Sequence, residues 1–338
     1  MSAWRVLSTP FEKGSRSIGI ALLLLLAALF VPPVNIPQKT YSYVVVFDIT
    51  QSMNVEDYDL HGVPMSRLEF AREAVRAALR TLPCGSRVGW AAFAEYRTLL
   101  LLAPVEVCAN YNDLLASLDR IDGRMRWANA SQITKGVYWA MRAAKDIAGK
   151  PDVLFLTDGQ EAPPEVGPGL PMFDDLKRGE PRGWIVGVGG YTPRRIPKTD
   201  DDGKMIGYWR SDEVVQLDQA AGAAGAAGAS GAAAGAAGAD GAAAGNGAGS
   251  GAVTPGSGSA GSRVRGTPSH EQLSELREPH LRALARQVGF EYSHLARLGD
   301  LAEAMQDPAY ARRKPAPANV GWIPALAALL LLAIRFRF

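Results

Sequence analysis

The chain has 338 residues, and its 36 Lys+Arg against 34 Asp+Glu leave a formal net charge of +2, which argues against a nucleic-acid-binding protein. Two cysteines exclude a disulfide-rich scaffold and are too few for a zinc ribbon. Much of the 47% hydrophobic composition is alanine in one tract and leucine at the two ends, so we expect about one ordinary globular domain.

The first predicted element is an apolar segment over residues 18–37, whose core from Ile18 to Val31 carries no charge. Its length is just enough to span a bilayer as an uncleaved anchor. A cleaved signal peptide is the alternative, but no A-x-A site follows the apolar run. Basic residues precede the segment and only Lys39 closely follows it, so the positive-inside rule places residues 1–17 in the cytoplasm and the next domain outside.

A second apolar segment, residues 320–334, is predicted as a transmembrane helix with Trp322 as an interface anchor. The alternative is a buried C-terminal helix. Two crossings would return residues 335–338 to the cytoplasm. The basic run from Arg312 to Lys314 opposes this topology, because it would lie on the outer side.

The chain between the anchors, residues 41–311, has the pattern of one α/β domain. The run 43–47 is continuously apolar and β-branched or aromatic, which is typical of a strand buried on both faces. Ser66 and Glu69 form a capping-box pattern at the start of a helix. Further strands are predicted at 88–94, 98–102, 153–156, 184–188 and 290–295, and further helices at 112–121, 133–147 and 276–288. This alternation predicts a doubly wound, mostly parallel sheet with helices on both faces.

An insertion interrupts this domain at residues 219–266 and is almost entirely Ala, Gly and Ser in its first part. Such a composition cannot bury enough apolar surface to offset its ordering entropy, so we predict a flexible insertion in a surface loop. A partner-binding tract is the alternative.

The two cysteines flank a predicted hairpin. Cys84 precedes its first strand and Cys108 follows its second, so antiparallel pairing brings the two residues to neighbouring positions. Because the domain is predicted to lie outside the cytoplasm, a disulfide is expected, with two unpaired cysteines as the alternative.

Polar residues follow two of the buried strands, at the edge where ligands bind in open α/β sheets. Asp48, Thr50 and Ser52 leave the first buried strand, and Asp158 leaves the strand at 153–156. Ser131 opens the helix at 133–147. Two carboxylates and three hydroxyls form an all-oxygen set, which suits a hard divalent cation such as Mg²⁺, Mn²⁺ or Ca²⁺. The alternative is that the hydroxyl residues only cap helices and turns.

These residues resemble the metal-ion-dependent adhesion site (MIDAS) of von Willebrand factor A domains. That family has Asp-x-Ser-x-Ser after the first strand, and Asp48, Thr50 and Ser52 match it with Thr in place of the first Ser. The family's Asp after the fourth strand corresponds to Asp158.

The remaining MIDAS element in this family is a Thr within a Gly-Thr-x-Ile run. That run aligns with residues 130–133, so Ser131 takes the Thr position and Thr134 is the alternative. The resemblance implies a metal-binding, protein-recognising domain in which an acidic residue of a partner completes the metal shell.

The sequence carries no nucleophile motif, P-loop or H-E-x-x-H pattern, so we predict that the protein is not an enzyme. A metal-dependent hydrolase is an alternative for which Glu161 is the only extra carboxylate nearby.

Several segments resemble two narrower groups of membrane-anchored bacterial proteins. The two-anchor arrangement and residues 186–190 are similar to aerotolerance-type proteins that accompany MoxR-type AAA ATPases. Residues 82–89, 105–108 and 157–164 are more similar to methanol-oxidation accessory proteins of the MxaL type. This resemblance implies a periplasmic domain on the bacterial inner membrane that assists the maturation of methanol dehydrogenase, including calcium insertion. A structural, adhesion or stress-tolerance module of the envelope is the alternative.

Overall fold

The computed structural model describes residues 13–164, 176–215 and 270–336. The predicted insertion at 219–266 and the outer parts of both predicted cytoplasmic termini lie outside the described residues. The strands are β1 (Val34–Thr40), β2 (Ser42–Asp48), β3 (Glu56–Leu60), β4 (Val63–Ser66), β5 (Arg87–Ala94), β6 (Arg97–Glu106), β7 (Asp152–Thr157), β8 (Gly183–Gly187), β9 (Arg194–Arg195), β10 (Pro197–Thr199), β11 (Met205–Tyr208), β12 (Leu273–Ser274), β13 (Glu291–His294) and β14 (Arg312–Ala318). The helices are α1 (Lys13–Phe30), α2 (Arg67–Leu79), α3 (Tyr111–Leu118), α4 (Ile133–Asp146), α5 (Glu278–Val288), α6 (Leu298–Met305) and α7 (Trp322–Phe336).

A six-stranded sheet in the order β13-β8-β7-β2-β5-β6 forms the centre of the domain. Neighbouring strands are parallel from β13 to β5, and only the edge strand β6 is antiparallel to its neighbour. All seven residues of β2 are buried, as expected for a strand covered on both faces. The structure therefore confirms the predicted α/β fold with a mostly parallel sheet.

Side chains of β2 alternate between two hydrophobic cores. Tyr43, Val45 and Phe47 belong to the core on the α2 and α6 face. Val44 and Val46 belong to the core on the α4 and α5 face. The period of two along the strand thus explains why an uninterrupted apolar run is needed here.

For two helices, the predicted start can be compared with the start in the structure. α2 begins at the predicted capping box, in which Ser66 Oγ accepts a hydrogen bond from Glu69 N at 3.2 Å. α5 begins at Glu278, and Leu276, predicted on its apolar face, lies before it. Leu276 N instead donates to Gly190 O at 2.8 Å, and Pro279 occupies the first turn of the helix.

The segment predicted as one span over residues 18–37 divides in the structure. α1 ends at Phe30, because Pro32 and Pro33 cannot continue a helix, and β1 follows and pairs antiparallel with β14. The second predicted span, 320–334, coincides closely with α7. Among the helices of the described residues, none reaches the length and apolarity that a membrane crossing requires. The two spans remain predictions.

α1 and α7 pack against each other through small residues. Ala21 and Ala328 are buried, and a Cβ on Gly321 would lie 2.7 Å from the carbonyl oxygen of Ala28. Most leucines of both helices are exposed, with Leu29 80% exposed. The seven paired residues of β1 and β14 separate this helical pair from the central sheet by roughly 23 Å, at about 3.3 Å per residue.

A disulfide joins Cys84 to Cys108 across the β5–β6 hairpin, with their Cα atoms 5.3 Å apart. The antiparallel register aligns Arg87 with Glu106, which brings the two flanking cysteines together. Glu106 also accepts a hydrogen bond from Gly85 N at 2.6 Å, which ties the two ends of the hairpin a second time.

Candidate metal centre

Asp48 and Asp158 lie at the carboxyl edge of the sheet because β2 and β7 are parallel neighbours. The register pairs Phe47 with Leu156, so Asp48 lies beside Thr157 and Asp158 follows one residue later. Both carboxylates are fully buried. Two acidic groups without solvent contact at one edge need compensating partners.

Asp48 receives hydrogen bonds on both carboxylate oxygens. Its Oδ1 accepts from Thr50 N at 2.9 Å and from Thr50 Oγ1 at 2.6 Å, and its Oδ2 accepts from Thr157 Oγ1 at 2.6 Å. Because Thr50 Oγ1 uses its proton on Asp48, its lone pairs stay available to a cation. Thr157 was not identified from the sequence, since its role depends on the strand register.

The three hydroxyl residues of the predicted site lie together. Thr50, Ser52 and Ser131 line one cavity of about 270 Å³, and Thr50 Oγ1 lies 3.2 Å from Ser52 Oγ. Ser131 Oγ is buried without a hydrogen-bond partner. Thr134, the alternative to Ser131, is also buried but does not line this cavity. The structure thus places Ser131, and not Thr134, with the other two hydroxyls.

Ser131 is held in place by backbone pairing on both sides. Its N donates to Ala162 O at 2.7 Å, and its carbonyl accepts from Ala162 N at the same distance. On the other side, it forms a bridge with Glu95 at the end of β5. The loop before α4 is therefore fixed to the edge that also carries Asp158.

A buried arginine neutralises Asp158. Arg67 Nη1 lies 2.6 Å from Asp158 Oδ2 and 2.6 Å from Ser274 Oγ, and its Nη2 lies 2.7 Å from Asp57 Oδ2. Burial favours deprotonation of Arg67, but Asp158 and Asp57 outweigh it and raise its pKa above the ordinary value. Gly189, with φ of +124°, makes room, because a Cβ there would lie 2.7 Å from Arg67 Nε.

The charge distribution at this edge fits a cation. Burial, and after it the negative charge of Asp158, raises the pKa of Asp48 to about 7. A divalent cation would relieve this repulsion, and it would also give the buried, unpartnered Ser131 Oγ a partner. Carboxylate and hydroxyl oxygens are hard ligands of the type that Mg²⁺ and Ca²⁺ prefer. The residues present therefore fit the metal predicted from the sequence.

Glu161, the carboxylate considered for a hydrolase, is occupied as a helix cap. Its Oε2 accepts from Ile133 N at 3.0 Å and its Oε1 from Thr134 N at 3.4 Å, both at the start of α4. His280 Nε2 lies 3.2 Å from the same Oε1. Both oxygens of Glu161 are therefore engaged at the start of α4, which gives this carboxylate a structural role in the loop that carries Ser131.

A wall of the cavity comes from the β10–β11 hairpin, which the sequence had not predicted. Gln51 Oε1 accepts from Trp209 Nε1 at 2.7 Å and from Thr199 N at 3.3 Å. Gln51 Nε2 donates to Asn129 Oδ1 at 2.9 Å. One glutamine between Thr50 and Ser52 thus connects the metal loop, the hairpin and the loop before α4.

Residues 43–160 match the family model described as the von Willebrand factor type A domain. This range contains all five residues of the predicted metal site. No curated protein matches the chain.

Three solved structures are also similar to this chain at low sequence identity. An aerotolerance-related membrane protein from Bacteroides fragilis is 15% identical over 78% of this chain and 96% of its own, with a TM-score of 0.46. A membrane spanning protein from Vibrio fischeri is 16% identical over 78% of this chain and 94% of its own, with a TM-score of 0.27. The PilB minor pilin from Streptococcus sanguinis is 17% identical over 38% of this chain and 32% of its own, with a TM-score of 0.30.

Proposed function

We propose that this chain is a membrane-attached factor that binds a protein partner through a divalent cation and assists the maturation of methanol dehydrogenase. One observation carries the metal-dependent part. Three hydroxyl residues, Thr50, Ser52 and Ser131, share one cavity, Thr50 is hydrogen-bonded to the buried Asp48, and the Ser131 hydroxyl has no hydrogen-bond partner.

The residues of the site divide into two roles. The hydroxyls of Thr50, Ser52 and Ser131, with Asp48 and Asp158, would hold Mg²⁺, Mn²⁺ or Ca²⁺, which supplies an attachment point for a carboxylate oxygen of the partner. Thr157 and the backbone N–H of Thr50 orient Asp48. Because Arg67 compensates Asp158, the shell carries less negative charge than its two carboxylates suggest, which favours an acidic ligand from outside.

Membrane attachment is proposed through the α1–α7 pair. The exposed leucines form an apolar surface that soluble proteins rarely expose to water, and small residues line the contact between the helices, as is typical of helix pairs in membranes. The metal site lies at the opposite edge of the sheet from the β1–β14 pair. This arrangement supports a domain on the periplasmic side of the bacterial inner membrane whose site faces away from the bilayer.

The assignment of methanol dehydrogenase, or its assembly proteins, as the partner rests on the resemblance of residues 82–89 and 157–164 to MxaL-type accessory proteins. A MoxR-type ATPase system is proposed as an additional partner on the cytoplasmic side. Nucleic acid is not proposed as a partner, because the net charge is only +2.

The test uses the full chain in detergent, purified methanol dehydrogenase, and either Ca²⁺, Mg²⁺ or EDTA. We expect capture with a divalent cation and loss of capture in EDTA or with Asp48→Ala. The matched control is Asp201→Ala, which removes an exposed carboxylate from the turn of the β10–β11 hairpin, a residue that does not line the cavity. Equal capture by wild type and Asp48→Ala would refute the metal-dependent mechanism. Normal growth on methanol without this protein would refute the maturation role and leave the envelope-module alternative.

A further inference from the structure

The cavity that contains the three hydroxyls is mostly apolar away from them. Its far side is lined by Pro163, Pro164, Ile196, Trp209, Val214 and Val215. A volume of about 270 Å³ is below the roughly 300–1,000 Å³ typical of small-molecule sites. The cavity therefore suits one or two side chains of a peptide better than a free metabolite.

The apolar wall is fixed to the metal loop. Trp209 Nε1 donates to Gln51 Oε1, and Trp209 N donates to Ile196 O at 3.1 Å. Gln51 lies between two of the hydroxyl residues, so the wall and the metal site keep a constant relative position. A preformed apolar site beside a cation site lowers the ordering cost of a ligand that uses both.

The charges of the cavity restrict which ligand can enter. Its described lining includes Glu161, Glu213 and Glu271 but no lysine or arginine. Glu213 is paired with Lys198 at 2.8 Å, and Glu271 accepts a hydrogen bond from Gln160 Nε2 at 2.9 Å. A ligand carboxylate would therefore meet no cationic side chain among these lining residues, whereas a cation at the hydroxyls would attract it.

We propose that this cavity binds an extended peptide segment in which one acidic residue is followed directly by aliphatic residues. The carboxylate lies at the hydroxyls of Thr50, Ser52 and Ser131, and the aliphatic side chains occupy the wall around Trp209. The proposal rests on the proposed function, because the carboxylate needs the cation. It adds that the apolar neighbours, and not the acidic residue alone, select the partner.

The test measures the fluorescence anisotropy of three labelled peptides mixed with the full chain in detergent. The buffer contains about 5 mM Mg²⁺, so that a metal site of ordinary affinity is filled. The probe is Gly-Ser-Asp-Leu-Leu-Ser-Gly. One control replaces both leucines by serine, and the other replaces the aspartate by asparagine. We expect the serine control to bind on the order of tenfold or more weakly, because burying a leucine side chain is worth that much. The asparagine control, and the probe in EDTA, should lose binding.

Substitutions in the apolar wall test whether the leucine side chains of the probe bind at Trp209. Trp209→Ala should weaken the leucine probe to the level of the serine control, whereas Trp209→Phe, which keeps an aromatic ring, should retain most of the affinity. The matched control is Tyr208→Ala, which removes a half-exposed ring from the same hairpin outside the cavity and should leave binding unchanged. Mn²⁺ binding by each variant, followed by electron paramagnetic resonance, shows whether the metal site is intact.

The outcomes separate this proposal from the proposed function. Equal affinity for the leucine and serine peptides, with both requiring metal and aspartate, would overturn the apolar-selection proposal alone. Unchanged binding of the leucine probe by Trp209→Ala would do the same. Binding that persists in EDTA or with the asparagine peptide would overturn the metal-dependent function as well. Failure of the leucine probe to bind while Mn²⁺ binds would also reject the proposed peptide class.

Discussion

Nη1 of Arg67 lies 2.6 Å from Oδ2 of Asp158, and neither side chain is exposed to solvent. This ion pair connects the first residue of α2 to the loop that leaves β7. Ser274, from the short strand β12, donates to the same Oδ2 at 3.0 Å. Three distant parts of the chain thus meet at one carboxylate of the candidate metal centre.

The first prediction concerns this pair. Arg67→Met leaves Asp158 and Asp57 buried without their cation, so the free energy of unfolding should fall by about 3–5 kcal/mol. The control is Arg76→Met on the same helix, whose ion pairs with Glu73 and Asp119 lie at the surface and should contribute less than about 1 kcal/mol. Urea denaturation of both variants measures the difference. Equal losses of stability in the two variants would show that the buried ion pair contributes no more than the surface ion pairs.

The features that local patterns encode were predictable. The uninterrupted apolar run of β2 and the capping box of Ser66 and Glu69 each specify an element without reference to the rest of the chain. Because parallel strands bring their carboxyl ends to one edge, the pattern also placed Asp48 and Asp158 together.

The features that depend on tertiary contacts were missed. Arg67 follows a helix cap and carries no signal that it is buried, because its side-chain partners Asp57, Asp158 and Ser274 come from separate parts of the chain. Thr157 matters only through its register with β2. Pro32 and Pro33 mark the end of the helix, but that the next residues form the strand β1 depends on their pairing with the distant β14.

The second prediction tests the space around Arg67. Gly189→Ala should lower the free energy of unfolding by about 1–3 kcal/mol, because φ is +124° and the new Cβ would lie 2.7 Å from a guanidinium held by several acceptors. Gly190→Ala is the matched control: its Cβ would lie 3.7 Å from the nearest atom, so a change within about 0.5 kcal/mol is expected. Thermal denaturation of both variants distinguishes them. A stability loss at Gly190 as large as at Gly189 would contradict the argument.

The third prediction concerns the disulfide. Cys84 and Cys108 are separated by 24 residues, and closing such a loop should stabilise the domain by about 3 kcal/mol in the chain-entropy model. Thiol labelling of the unfolded, unreduced chain should find no free cysteine, and labelling after reduction should find both. The double variant Cys84→Ser, Cys108→Ser should unfold at lower urea concentration. Full labelling before reduction would reject the bond.

The fourth prediction concerns topology. Arg5, Lys13 and Arg16 precede the apolar run that begins at Ile18 and favour a cytoplasmic N-terminus, so a reporter that is active only outside the cytoplasm should be active when fused after Gly261. The same reporter fused before α1 should be inactive, which controls for leakage. An inactive fusion after Gly261 would refute the two-anchor topology.

The last prediction separates Ser131 from Thr134 as the third hydroxyl of the metal centre. Ser131→Ala should weaken Mn²⁺ binding on the order of tenfold or more, because it removes a ligand oxygen from the cavity shared with Thr50 and Ser52. Thr134→Val should leave the affinity nearly unchanged, since Thr134 does not line that cavity. Stability without metal provides a second readout: the Ser131 hydroxyl is buried without a partner, so its removal should cost little or even stabilise the metal-free domain. Isothermal titration with Mn²⁺ and urea denaturation in EDTA measure the two effects. Weaker Mn²⁺ binding by Thr134→Val than by Ser131→Ala would move the third ligand into α4 and contradict the site described above.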